Sequence, residues 1–300
     1  MKDRDLDEFG SIFRRAIIPT IEVSAIEIRV VVVLFDFSDR GSSCMRAARE
    51  LVERFDCRVS CRFLLREADA RWERDARGLL DKAGASHGEI IRGDPAAHIV
   101  KLTEKDKPSL IIAPAPLRPH ETSAETVVEG EFVDSLLVAT AIPTLLVREP
   151  FEDSPFRRIL AKIPGGRHEL IEQFSFAFAL CEPGGTIRLL HVVEEERLKL
   201  MAEVLEITPG IETERGSADL LSAIQARMSH LLQGAVRTAK DAAFSVETSI
   251  RVGDPFVLVP EEAKGCSLLI VGSHESHEEF LDSRAYELMQ RVPHIPVLAL

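Results

Sequence analysis

Ile91 to Pro95 reads Ile-Arg-Gly-Asp-Pro, and Ile250 to Pro255 reads Ile-Arg-Val-Gly-Asp-Pro, the same phrase with one residue added before its glycine. Each is followed by a stretch of helix length and then by an apolar run, Ser109 to Ala113 in the first copy and Ser267 to Val271 in the second. Each copy closes on another matched block, Ile142-Pro143-Thr144-Leu145-Leu146-Val147 against Ile295-Pro296-Val297-Leu298-Ala299-Leu300. Three blocks recurring in one order mark an internal repeat. The copies also begin alike, because Arg29 to Phe35 and Arg157 to Ile163 are both basic-flanked apolar runs that lead into a polar loop.

Working outward from these blocks, apolar runs alternate with segments of helical period. Met45, Ala48, Leu51, Val52 and Phe55 share one helical face, and Trp72, Ala76, Leu79, Leu80 and Ala83 share another. In the second copy the strands are expected near 158–163, 186–193, 245–251, 267–272 and 296–300. Strand and helix in alternation predict an α/β fold, with a parallel sheet covered by helices on both faces. We therefore expect two tandem five-stranded domains, 28–148 and 156–300, joined by a Pro- and Glu-containing linker near 148–155. An arm, 1–27, precedes both copies. An insertion, about 194–216, carries Glu194, Glu195, Glu196 and Arg197 and the breakers Pro209 and Gly210, ahead of a long helix expected at 218–243.

Composition narrows the function. A length of 300 residues suits two domains, and 45% hydrophobic with 29% charged residues is ordinary for a folded soluble protein. The longest apolar run, around Val30 to Phe35, is too short to span a bilayer, and the charged start of the chain lacks a signal-peptide core, so a cytoplasmic protein that is not membrane-embedded is expected. A net charge of -12 without a basic stripe argues against nucleic acid as a partner. The five cysteines have no metal-type spacing and read as reduced thiols, with Cys57 and Cys61 expected on one strand.

Val31-Val32-Val33-Leu34-Phe35-Asp36-Phe37-Ser38 resembles the first strand of universal stress protein domains, which ends in Asp at the mouth of a nucleotide site. The Gly-Asp-Pro, the apolar fourth strand and the closing Ile-Pro strand resemble the same family in both halves, from about Val30 to Leu300 apart from the insertion. The resemblance implies an open, adenine-nucleotide alpha-hydrolase-like parallel sheet and a last strand that mediates pairing. It also implies a phosphate loop after strand four, Gly-x-x-Gly followed after nine residues by Gly-Ser or Gly-Thr. Glycines there let backbone N–H groups approach phosphate oxygens.

Against that motif both halves have lost residues. The first half has Ala113-Pro114-Ala115-Pro116-Leu117 in the loop, keeping only Gly130 with Glu131 behind it. The second half keeps Gly272 and Ser273, but Glu275, Ser283 and Arg284 replace the rest, and Pro164 stands where the first half has Asp36. The nucleotide candidates are Asp36, Ser38, Gly93, Asp94, Gly130, Gly253, Asp254, Gly272 and Ser273. The simpler roles are a turn or cap for Asp36 and Ser38, and helix N-caps followed by proline for Asp94 and Asp254. His274 and His277 are weak metal candidates that read more simply as the start of an acidic helix. No hydrolase motif is present, and no cofactor is expected; ATP or AMP in a degenerate site is the alternative.

The expected function is that of a regulatory, stress-type protein rather than an enzyme, its two domains forming an intramolecular pseudo-dimer through the strands ending at Val147 and Leu300. A homodimer and an unidentified protein partner are further expectations. The rival readings are an adenine-nucleotide-binding protein or weak ATPase, and a soluble regulator acting on a membrane transporter.

Overall fold

The computed structural model describes residues 23, 26–65, 87–92, 105–115, 131–163, 167–196, 198–199, 213–272 and 284–300. Its elements in chain order are β1 (Val30–Phe35), α1 (Asp39–Phe55), β2 (Arg58–Leu65), β3 (His87–Arg92), β4 (Leu110–Pro114), α2 (Glu131–Ala139) and β5 (Thr144–Val147). The second half follows with β6 (Arg158–Ile163), α3 (Arg167–Leu180), β7 (Thr186–Val193), α4 (Thr213–Thr238), β8 (Ser245–Val252), α5 (Pro255–Ala263), β9 (Leu268–Val271), α6 (Arg284–Arg291) and β10 (Val297–Ala299).

All ten strands form one sheet in the order β3-β2-β1-β4-β5-β10-β9-β6-β7-β8. Each half has the same internal order, and every pairing is parallel except the central one, where β5 meets β10 antiparallel with Leu145 opposite Leu298. The centre is built from runs that are apolar on both faces, such as Leu268–Val271, which is buried throughout. β8, at the edge, reads Ser-Val-Glu-Thr-Ser-Ile-Arg-Val and is mostly solvent-facing, as an edge strand bearing charge should be.

Two apolar layers cover the sheet and both run across the join. One combines Val31, Val33, Leu51 and Ile112 with Ile159, Phe174, Leu189 and Met228, beneath α1, α3 and α4. The other combines Val32, Ile111 and Leu136 with Leu160, Val259, Leu269 and Leu288, beneath α2, α5 and α6. The segment near Pro150 lies against α1: the Phe151 N–H donates to Ser43 Oγ at 3.1 Å, and Ser154 donates to Glu50 at 2.6 Å. Arg54 of α1 donates to the carbonyls of Ala179, Leu180 and Cys181 at the end of α3. Those carbonyls have no partner within their own helix, so an arginine from the other half satisfies them. On the opposite face the Tyr286 hydroxyl of α6 donates to Asp134 of α2 at 2.5 Å.

Two details differ from the sequence reading. Cys57 sits just before β2 rather than on it, although it and Cys61 are both buried. The long helix spans Thr213–Thr238 and gives way to a 3-10 turn at Ala239–Asp241, so it starts inside the expected insertion. The helical face containing Trp72 lies outside the described residues.

Candidate functional site

In an open parallel sheet, ligands bind beyond the carboxyl ends of the strands where the strand order reverses. Here that rule marks two crevices, between β1 and β4 and between β6 and β9.

Asp36 follows β1 at the first crevice and is only 5% exposed. Its Oδ1 accepts from the Ser38 backbone N–H at 3.1 Å and from the Ser38 hydroxyl at 2.5 Å. Ser38 in turn is the N-cap of α1, its Oγ accepting from the Gly41 N–H at 3.1 Å. The fit is close, since a Cβ on Gly41 would stand 2.7 Å from Asp36 Oδ1. The other oxygen, Oδ2, is buried without a hydrogen-bond partner. Burial, reinforced by the Asp36 charge, raises the Cys44 thiol well above its ordinary pKa, so the thiol beside this carboxylate is unreactive. Phe37, between Asp36 and Ser38, has φ +63, a strained value for a bulky side chain, and its ring packs 5.0 Å from that of Phe35 and 5.8 Å from that of Phe63.

The end of β4 offers little to a phosphate. Pro114 has no N–H, and the Ala115 N–H donates to the Val147 carbonyl at 2.8 Å.

At the second crevice the decisive side chain is Gln173 of α3, which is 1% exposed. With its carboxamide turned to suit its neighbours, Gln173 accepts from the Gly272 N–H at 3.0 Å and donates to the Lys162 carbonyl at 2.5 Å. Nearby, His191 of β7 is buried with Nδ1 3.0 Å from the Ile163 carbonyl. Burial lowers its pKa, the bond to Ile163 opposing that shift and the Lys162 charge adding to it. The register aligns His191 with Ile163 as it aligns Phe63 with Phe35, so the two are counterparts.

Of the sequence candidates, Asp36 and Ser38 come together at the first crevice, and Gly272 stands at the second. Asp254 is the N-cap of α5, accepting from the Phe256 N–H at 2.8 Å, with Gly253 immediately before it and Pro255 opening the helix. Gly93, Asp94, Gly130, Ser273, His274 and His277 lie outside the described residues. Among the described residues no three His, Cys, Asp or Glu side chains gather as a metal site, and no helix is long and apolar enough to cross a membrane. Sequence reasoning missed Gln173; the available signal was a glutamine set among Leu170, Phe174 and Ala177, all three buried in the apolar core.

The sequence matches no family model and no curated protein. Solved structures do match. A universal stress protein from Archaeoglobus fulgidus superposes over 92% of this chain and 97% of its own, with TM-score 0.55 and 14% identity. The fold is that of the universal stress proteins. A functionally unknown protein from Pseudomonas aeruginosa PAO1 has the same fold, with TM-score 0.58 at 16% identity, covering 91% of this chain and 92% of the other. At such identities the universal stress protein fold is what is shared, and the chemistry of each crevice has to be read from this chain's own residues.

Proposed function

We propose that this chain is a cytoplasmic, non-enzymatic regulatory protein of the universal stress type, built of units 28–148 and 156–300 acting as a pseudo-dimer, and that it does not hold ATP in the manner the family resemblance implies. The observation that carries this reading is the state of the backbone donors at both crevices. A triphosphate needs several N–H groups converging on it. Pro114 supplies none, the Ala115 N–H is engaged by Val147, and the Gly272 N–H is engaged by Gln173. Regulation then works through a bound protein partner or through further dimerisation. Titration calorimetry with Mg-ATP, together with native mass spectrometry of freshly purified protein, tests this. No saturable heat and no nucleotide mass are expected; one ATP retained per chain overturns the reading.

The second reading, an adenine-nucleotide-binding protein, is favoured by the buried, unpartnered Oδ2 of Asp36, an acceptor that a ligand N–H would satisfy. Under that reading AMP or ATP binds and Asp36→Asn weakens binding at least tenfold. Nucleotide binding indifferent to Asp36→Asn removes it.

A further inference from the structure

We propose that the Gln173 carboxamide is a built-in occupant of the second crevice, sealing it from within so that this half takes no outside ligand there. The strands around it define what it replaces. β6 and β9 pair in register as far as Ala161 opposite Ile270. A regular parallel ladder would next join the Gly272 N–H to the Lys162 carbonyl. Instead the strands part at the switch point, and the carboxamide enters between them, accepting from Gly272 and donating to Lys162. It behaves as a peptide group inserted into the ladder, satisfying both backbone groups where a ligand would otherwise lie.

Gly272 is itself explained by this arrangement. A Cβ there would come within 2.7 Å of the Gln173 carboxamide, so glycine lets that carboxamide approach the strand, a reason independent of any phosphate. The first half supplies a control. By the register of β1 with β4 and of β6 with β9, the position matching Gly272 is Pro114. There the strand end has no N–H to satisfy. Where the N–H is present, the helix offers an amide.

The experiment compares hydrogen exchange at Gly272 in the full chain with two variants, using acetamide as probe. Gln173→Ala leaves a gap beside the Gly272 N–H, which loses its acceptor, and Gly272 exchange is expected to accelerate about tenfold or more. Acetamide should slow it again, while acetate and acetone, each lacking half of the donor–acceptor pair, should not. In the wild type acetamide should have no effect. Gln173→Met removes both hydrogen-bonding groups at nearly constant volume and is expected to fold. In that variant Gly272 should exchange fast with or without acetamide, so this arm decides the matter if the alanine variant does not fold. Wild-type protection of Gly272 in the methionine variant, a Gln173→Ala protein that acetamide does not protect, or equal acetamide protection of wild type and variant would each overturn the proposal. ATP binding at the first crevice would leave it standing, so its failure is distinct from that of the functional reading above.

Discussion

The two halves share one strand order, yet their interiors satisfy polar groups by opposite means. On the first half's sheet, Arg62 of β2 is 0% exposed and pairs with Asp106, with Glu89 at 3.7 Å across the strand. On the second half, Arg188 of β7 is 35% exposed and pairs with Glu247 at 3.1 Å and Glu262 at 3.4 Å. At the crevices the roles reverse: the first half puts Phe63 where the second puts His191, and Pro114 where the second puts the Gly272 that Gln173 engages. Gln173 and His191 each stand beside a backbone partner, whereas Asp36 at the first crevice keeps one oxygen without one.

The largest expected contrast follows from burial. Arg62→Ala should cost about 3–5 kcal/mol, because Asp106 would be left as an unpaired, nearly buried charge. Arg188→Ala should cost at most about 1 kcal/mol, since Glu247 keeps access to water and Glu262 keeps Arg251 at 2.6 Å. Urea unfolding of both variants measures the gap, and equal losses would mean that the two halves are not distinguished by burial.

Next come the two crowded glycines. Gly41→Ala and Gly272→Ala should each destabilise by about 1–3 kcal/mol, through clashes with Asp36 and Gln173 respectively. Adding Gln173→Ala should relieve the Gly272→Ala cost and leave that of Gly41→Ala untouched, a non-additivity that a double-mutant cycle reads directly.

A smaller contrast is pH-dependent. His191 has a lowered pKa in the folded chain, so the unfolded chain takes up its proton first as pH falls. Its contribution is complete above the ordinary histidine pKa of about 6.5 and is lost as pH drops from there toward the folded value. His191→Phe, which copies Phe63, should flatten the fall in melting temperature between about pH 7 and pH 5. A slope identical to wild type would show that His191 is not the titrating group.

The smallest effects are those of the caps. Asp254→Ala should cost about 1 kcal/mol, and Ser38→Ala somewhat more, because Ser38 also donates to Asp36. Thermal melts that rank them the other way would mean that the bond to Asp36 contributes little.

Much of the fold could be read from the chain itself. The strands expected near 158–163 and 186–193 coincide with β6 and β7, and the one near 267–272 contains β9. Their apolar runs, bounded by turn residues, leave few other conformations that bury so many side chains. The candidate site was legible only in part. Asp36 stood out because a carboxylate directly follows a continuous apolar strand, and Asp254 because Asp-Pro opens a helix. Gln173 did not stand out, because its partners are a carbonyl eleven residues before it and an N–H ninety-nine residues after it, and neither position is marked by a side chain.

The sequence by itself determined the alternation of strand and helix and the missing N–H at Pro114, since the first depends on local pattern and the second on the residue alone. Only the tertiary structure decided that the Gly272 N–H is engaged by Gln173, that Asp36 keeps one oxygen without a partner, and that Arg62 is fully buried while Arg188 is not. Hydrogen-bond satisfaction and burial depend on groups brought together from distant parts of the chain, and the spacing of residues along it does not encode which groups those are.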